Sequence, residues 1–250
     1  MADDSSLNSI RLHGMRIDRV TMEGALQQIE QFIASGKPHH IVTADASMVM
    51  TFREDKDFAA IVEQAALITP DGAGILWACQ RFGTPIPAKV SGVDLSAKLV
   101  ELSSTRGWRV FFFGGAPGVA EAAARKMRER FPGAQICGAR DGYYKADQED
   151  SVAAELAATK PDIVLVAMGI PRQEKFIARQ KARVGAEVYI GVGGTLDVFS
   201  GTVKRAPVWM QKSGLEWLYR ISSNPNAARL KKLAALPQFA MLTLRGNAKN

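Results

Sequence analysis

The tightest constraint in this 250-residue chain is a recurring unit. A short, wholly apolar run meets a glycine- or proline-bearing stop, and a segment with helical spacing follows. The unit is clearest at Trp108–Phe113, which runs into Gly114-Gly115-Ala116-Pro117-Gly118 and then the Ala-rich stretch Ala120–Arg130. It recurs at His40–Thr43, followed by helical spacing through Met48, Phe52, Phe58, Ile61 and Val62. Ala66–Thr69 is stopped by Pro70-Asp71-Gly72 ahead of helices at Ile75–Phe82 and Leu95–Arg106. Gln135–Gly138 precedes Ser151–Thr159, Asp162–Met168 precedes Pro171–Val184, and Glu187–Val192 runs into Gly193-Gly194. A helix over Thr21–Gly36, with Leu26, Ile29, Phe32 and Ile33 on one face, comes before them all. The runs are continuously apolar rather than alternating, so both faces of each strand are buried. Strands alternating with helices over short connections predict a doubly wound α/β layer with a mostly parallel, Rossmann-like sheet. After Gly201 the alternation stops, and two or three helices are expected with no strand between them. The expected division is an α/β core over 1–201 and a helical appendage over 202–250.

Charge follows the same division. The 49 residues from Thr202 carry nine cations and one acid, a net +8, while the other 201 carry −1. Trp209, Trp217 and Tyr219 are interleaved with those cations. Such a tail points to an anionic partner. A membrane interface fits, single-stranded nucleic acid fits, and so does a solvated cationic helix pair packed on the core.

Other classes fall away. Cys79 and Cys137 form no CxxC pair, and His13, His39 and His40 show no metal-ligand spacing. No metal and no cofactor are therefore expected. The first nine residues lack a basic start and an apolar stretch, so they do not read as a signal peptide, and no apolar run approaches the length needed to span a bilayer. A cytoplasmic location is expected.

In open α/β sheets, ligands bind beyond the carboxyl ends of the strands. Five such ends carry unusual residues here. Gly114–Gly118 joins a strand to a helix, where glycine lets backbone amides approach a phosphate and the helix terminus adds positive potential. Gly193-Gly194 offers a second loop of this kind, and two together suit a diphosphate. Asp71, held between Pro70 and Gly72, reads either as a general base or as a turn or cap for the helix after Gly74. Pro171-Arg172-Gln173-Glu174 opens a helix in ordinary fashion, with Arg172 and Gln173 in reach of a ligand. Asp197 reads as a nucleoside acceptor or as a turn residue.

In order along the chain stand Thr43-x-Asp45, Pro70-Asp71-Gly72, Ser91-Gly92-x-Asp94-Leu95, Gly114-Gly115-x-Pro117-Gly118, Gly142-Tyr143 and Gly169-x-Pro171-x-Gln173-Glu174. Gly191-x-Gly193-Gly194-x-x-Asp197, Gly201, Arg205-Ala206-Pro207 and Gly214-Leu215-Glu216-Trp217-Leu218-Tyr219-Arg220 follow. Together they resemble the WecG/TagA/CpsF glycosyltransferases, from about His13 to Arg229. The resemblance implies inverting transfer of a sugar, most often N-acetylmannosamine, from a UDP-sugar to a sugar on undecaprenyl diphosphate, in the building of teichoic acid, capsular or exopolysaccharide material. UDP-glucose or the mannosaminuronate are alternative donors. It implies Asp71 as catalytic base, with Thr43 and Gln173 in the active site. Where the family has asparagine and arginine, this chain has Asp45 and Lys89.

On that reading Lys89 serves the diphosphate, and Asp45, Gly114, Gly115, Pro117, Gly118, Gly169, Arg172, Gly193, Gly194, Asp197 and Arg205 line the substrate site. Arg220 reaches the carrier diphosphate, and the tail docks peripherally on the anionic inner face of the membrane. No nucleic-acid partner is expected, and self-association stays open. An NAD(P)-dependent oxidoreductase is the alternative from another class, but no acid follows the Gly114 loop at the spacing such a site needs.

Overall fold

The structure, a computed structural model, describes residues 8–207, 210, 219 and 227–246, with side chains given from 235 onward in the last stretch. Six parallel strands form one sheet in the order β4-β3-β8-β7-β5-β6. They are β3 (His39–Ala44), β4 (Leu67–Pro70), β5 (Val110–Gly114), β6 (Ile136–Arg140), β7 (Ile163–Ala167) and β8 (Val188–Gly191).

Every residue of β4, β5, β7 and β8 is buried, because helices cover both faces. On one face α1 (Met22–Ala34), α5 (Gly92–Arg106), α6 (Val119–Arg130) and α9 (Thr195–Phe199) pack around Ile41, Phe112, Leu165 and Ile190. On the other, α2 (Ala46–Glu54), α3 (Lys56–Glu63) and α4 (Ala73–Arg81) cover Val42 and Ile68. There too, α7 (Glu149–Ala158) and α8 (Arg172–Val184) cover Phe111, Phe113, Val164 and Tyr189. The chain leaves β5 toward one face through α6 and leaves neighbouring β7 toward the other through α8, which makes a switch point of the kind where such sheets bind ligands.

Three elements depart from the sequence reading. The helical spacing through Met48 and Val62 is split at Asp55, whose carboxylate accepts from the Phe58 amide at 2.9 Å and caps α3. An antiparallel hairpin, β1 (Ser9–Leu12) and β2 (Met15–Asp18), precedes α1 and buries Leu12, Met15 and Ile17. Its buried Asp18 accepts from the Ile68 amide at 2.7 Å and faces Arg16 at 3.2 Å.

The third concerns the tail. Within it, α10 (Ala227–Arg245) packs against α2 and α4. Phe239 is 2% exposed and joins the apolar cluster of Leu12, Met15, Ala46 and Ile75. The Thr243 hydroxyl meets His13 Nε2 at 3.0 Å, and the His13 ring sits edge-on to Phe82 and Phe239. The apolar core thus extends across the expected boundary at 201, and removing everything after about 208 would uncover part of it. Among the described residues the exposed large hydrophobic side chains are Trp77, Met241, Leu244 and Tyr143, three of them on the α4–α10 pair. No helix of the described residues is long and apolar enough to cross a membrane.

At the amino end of β3, His40 is enclosed. Burial first, and the Lys181 charge second, push its pKa down from 6.5 to about 3. The folded state therefore holds His40 neutral while the unfolded chain protonates it below pH 6.5. Its contribution to stability is complete above pH 6.5 and is lost as pH falls toward about 3, by up to about 1.4 kcal/mol per pH unit. Urea unfolding followed from about pH 7 to about pH 4.5 should show this loss, and His40→Leu should flatten it.

Candidate active site

The carboxyl ends of β3, β4, β7 and β8 converge on one small region. Asp71 follows β4 directly. Its amide donates to the Ala44 carbonyl at 2.8 Å, extending the β3–β4 pairing by one residue. One carboxylate oxygen, Oδ2, accepts from the Gly92 amide at 2.9 Å. Gly92 opens α5, so the carboxylate sits on that helix's positive end. Asp71 does not cap α4: that helix starts at Gly72 with no side-chain cap. A cap role therefore exists, but on a helix distant in sequence.

Thr43, at the end of β3, is 8% exposed and donates its hydroxyl to the Gly191 carbonyl at 2.7 Å. A methyl group added to Gly92 would lie 3.3 Å from Thr43 Oγ1 and 3.6 Å from Asp71 Oδ2, so both side chains border Gly92. Gln173, at the second position of α8, is 1% exposed. Its Oε1 accepts from the Gly169 amide at 3.1 Å and the Gly193 amide at 3.0 Å. Thr43 and Gln173 are each turned to backbone and hold strand ends together. The amides of Gly169 and Gly193 are both taken by Gln173.

Asp45 caps α2, accepting from the Met48 amide at 2.9 Å and the Ser47 hydroxyl at 2.6 Å. The guanidinium of Arg172 turns to the neighbouring loop, donating to the Gly142 carbonyl at 2.7 Å and stacking over Tyr144 at 4.9 Å. Arg205 grips Asp94 with both terminal nitrogens, each at 2.7 Å. Burial opposes charge on Asp94, but the hydrogen bonds from Arg205 and Ser91, with the Arg205 and Lys89 charges behind them, outweigh it and hold the carboxyl below its ordinary value. Lys89 is thereby placed near the first turn of α5, just ahead of the Val90 amide that bonds to the Pro70 carbonyl at 2.9 Å.

The Gly114 loop is drawn tight over β7. Gly115 donates to the Ala167 carbonyl at 2.9 Å, and any side chain on Gly114, whose φ is +126°, would overlap that carbonyl. Pro117 and Gly118 are exposed at the start of α6, which has no side-chain cap. The α8 start at Pro171 is likewise uncapped by a side chain. Uncapped amides at α4, α6 and α8 leave positive potential at this edge of the sheet. Gly194 and Asp197 border it from α9, with Asp197 Oδ2 at 3.5 Å from where a Gly194 side chain would begin.

Tyr143 was not singled out for a role by its sequence, yet its ring is 67% exposed on the loop that the Gly142 amide ties to the Gly115 carbonyl at 3.1 Å. An aromatic directly after the glycine at a strand end is the signal that marks it. Arg220, Trp209 and Trp217 lie outside the described residues. Among the described residues, no three His, Cys, Asp or Glu side chains gather as a metal site.

Comparison with known proteins bears on the same residues. The model of the glycosyl transferase WecG/TagA/CpsF family matches residues 10–250. An N-acetylglucosaminyldiphosphoundecaprenol N-acetyl-beta-D-mannosaminyltransferase of Bacillus spizizenii is 35% identical over 214 residues, covering 86% of this chain and 82% of its own. Its Bacillus subtilis counterpart is 33% identical, over 82% of this chain and 78% of its own. One from Staphylococcus aureus is 29% identical over 94% and 92%. With a match that spans the sheet, the Asp71 corner and the tail alike, the chain belongs to the WecG/TagA/CpsF glycosyltransferase family.

Proposed function

We propose that this chain transfers N-acetylmannosamine, with inversion, from a UDP-sugar to the N-acetylglucosamine of an undecaprenyl diphosphate carrier, in the assembly of a cell-surface polymer. The observation that carries the reading is the placement of Asp71: a carboxylate anchored through one oxygen on the α5 terminus, at the ligand-binding edge of the sheet. The relatives' names supply the acceptor and the transferred sugar.

Inversion takes one displacement. Asp71 accepts the proton of the acceptor hydroxyl as that oxygen bonds to the anomeric carbon, and the bond to the donor diphosphate breaks with its electrons on UDP. Charge developing on the leaving diphosphate is met by the uncapped starts of α4, α6 and α8 and by Lys89. Stacking of the base on Tyr143 and a hydrogen bond from the nucleoside to Asp197 hold the donor. Asn in place of Asp71 keeps the shape and removes the base, so Asp71→Asn should retain UDP binding and fold while kcat falls about 10²- to 10⁴-fold. Activity within a few-fold of wild type would exclude Asp71 as the base.

Because helix termini and a lysine supply the positive potential, transfer should proceed without a divalent ion. The assay is UDP release in EDTA: retained activity is expected, and abolition with rescue by Mg²⁺ or Mn²⁺ would overturn the scheme.

The acceptor's carrier resides in a bilayer, and the net +8 of the last 49 residues suits peripheral docking on anionic lipid. The exposed Trp77, Met241 and Leu244 offer the apolar contact. Trp77 lies about 6 Å of helix rise past the start of α4, which follows Asp71 by two residues, so a docked α4 keeps the base close to the lipid headgroups. A Trp77→Ser, Met241→Ser, Leu244→Ser variant should sediment poorly with anionic liposomes and lose activity on the lipid-linked acceptor, while a short-chain soluble acceptor is still used. Liposome binding equal to wild type would reject this docking face.

A further inference from the structure

We propose that Glu174 is a positioning residue for the transfer: its carboxylate anchors the NH₂ end of the Gln173 carboxamide, whose oxygen clasps the ends of β7 and β8. The inference rests on the transferase reading and adds a residue to it.

A carboxamide can sit in either of two orientations of nearly equal shape, and only its partners decide between them. Gln173 Oε1 faces two backbone donors, Gly169 and Gly193, at 3.1 and 3.0 Å. Its Nε2 donates to Glu174 Oε1 at 2.7 Å. Both side chains are buried, Gln173 at 1% and Glu174 at 0% exposure, so water does not stand in for a lost partner. In the flipped state an NH₂ would confront two N–H donors and an oxygen would confront a carboxylate. A carboxylate only accepts, so Glu174 excludes that state. A neutral Gln at 174 can turn its own NH₂ toward Gln173 Nε2, which loses that bond and leaves the carboxamide held by the two backbone donors alone.

The clasp reaches the base through Gly191, Thr43 and Gly92. A side chain on Gly191 would start 2.6 Å from Gln173 Nε2 and 2.8 Å from Glu174 Oε1, so the pair lies directly against that strand end. The Gly191 carbonyl in turn receives the Thr43 hydroxyl at 2.7 Å, and Thr43 borders Gly92, whose amide holds the Asp71 carboxylate. Loosening the carboxamide therefore lets the Gly193 loop and the Thr43 corner shift relative to each other. The reacting groups are displaced while most donor contacts remain, which is the situation that lowers kcat more than it raises KM.

The test is Glu174→Gln in the wild-type and in the Gln173→Ala background, with the Gln173 side-chain amide observed by ¹⁵N NMR in the full-length protein. The expected result is a kcat lowered about 10- to 100-fold with donor KM changed by less than about threefold, and no further loss when Glu174→Gln is added to Gln173→Ala. The wild-type Gln173 amide should show protons protected from solvent exchange, and these should broaden in Glu174→Gln. Wild-type kcat in Glu174→Gln, or an equal loss in both backgrounds, would overturn the proposal. Should the variants not fold, the wild-type amide decides: freely exchanging protons refute the clasp and protected ones uphold it. A wild-type protein that transfers no sugar would sink the functional reading, and the amide resonance would still judge the clasp.

Discussion

The site depends on how closely strand β8 is approached at its last residue. Gly191 is flanked by the Gln173 carboxamide and the Glu174 carboxylate, and its carbonyl is held by Thr43. Any side chain there would push the carboxamide off the two amides it bridges. Because β8 lies between β3 and β7, that one contact keeps three strand ends in register. The functional edge of a parallel sheet is otherwise a set of independent loops. Here buried hydrogen bonds tie them, and buried networks of this kind rigidify only when every member is satisfied.

The layer architecture was legible because burial on both faces leaves an unmistakable mark. Phe111 and Phe113 point to one face and Phe112 to the other, yet all three are apolar. The N-terminal hairpin was not legible: four-residue strands such as Ser9–Leu12 carry too little pattern, and Arg11 and Arg16 interrupt it. The split at Asp55 was hidden for a related reason, since the apolar spacing continues across the cap. At the site, residue types and their nearness to strand ends were readable, while bonding partners were not. Asp71 and Gly92 are 21 residues apart, Thr43 and Gly191 are 148 apart, and no local spacing encodes such pairs. Thr43 and Gln173 are thus readable from sequence as strand-end residues, while the backbone groups they bond are not.

Charge asymmetry in the tail was equally visible, and packing adds what charge omits. Phe239 and Thr243 are inward-facing on α10, against His13, Phe82 and Gly74. The same helix turns Met241 and Leu244 outward. One face thus belongs to the core and the other to solvent. The tail is part of the folded body at α10, whatever its cations meet.

The Asp94–Arg205 pair has a mechanical implication. Asp94 and Gly92 share the first turn of α5, where Gly92 holds the Asp71 carboxylate and Asp94 holds Arg205, near the start of the basic tail. A single helical turn is therefore bound to the Asp71 carboxylate on one side and to Arg205, near the root of the tail, on the other. The path from Arg205 to Asp71 thus runs across one ion pair and the first turn of α5, with no loop between them.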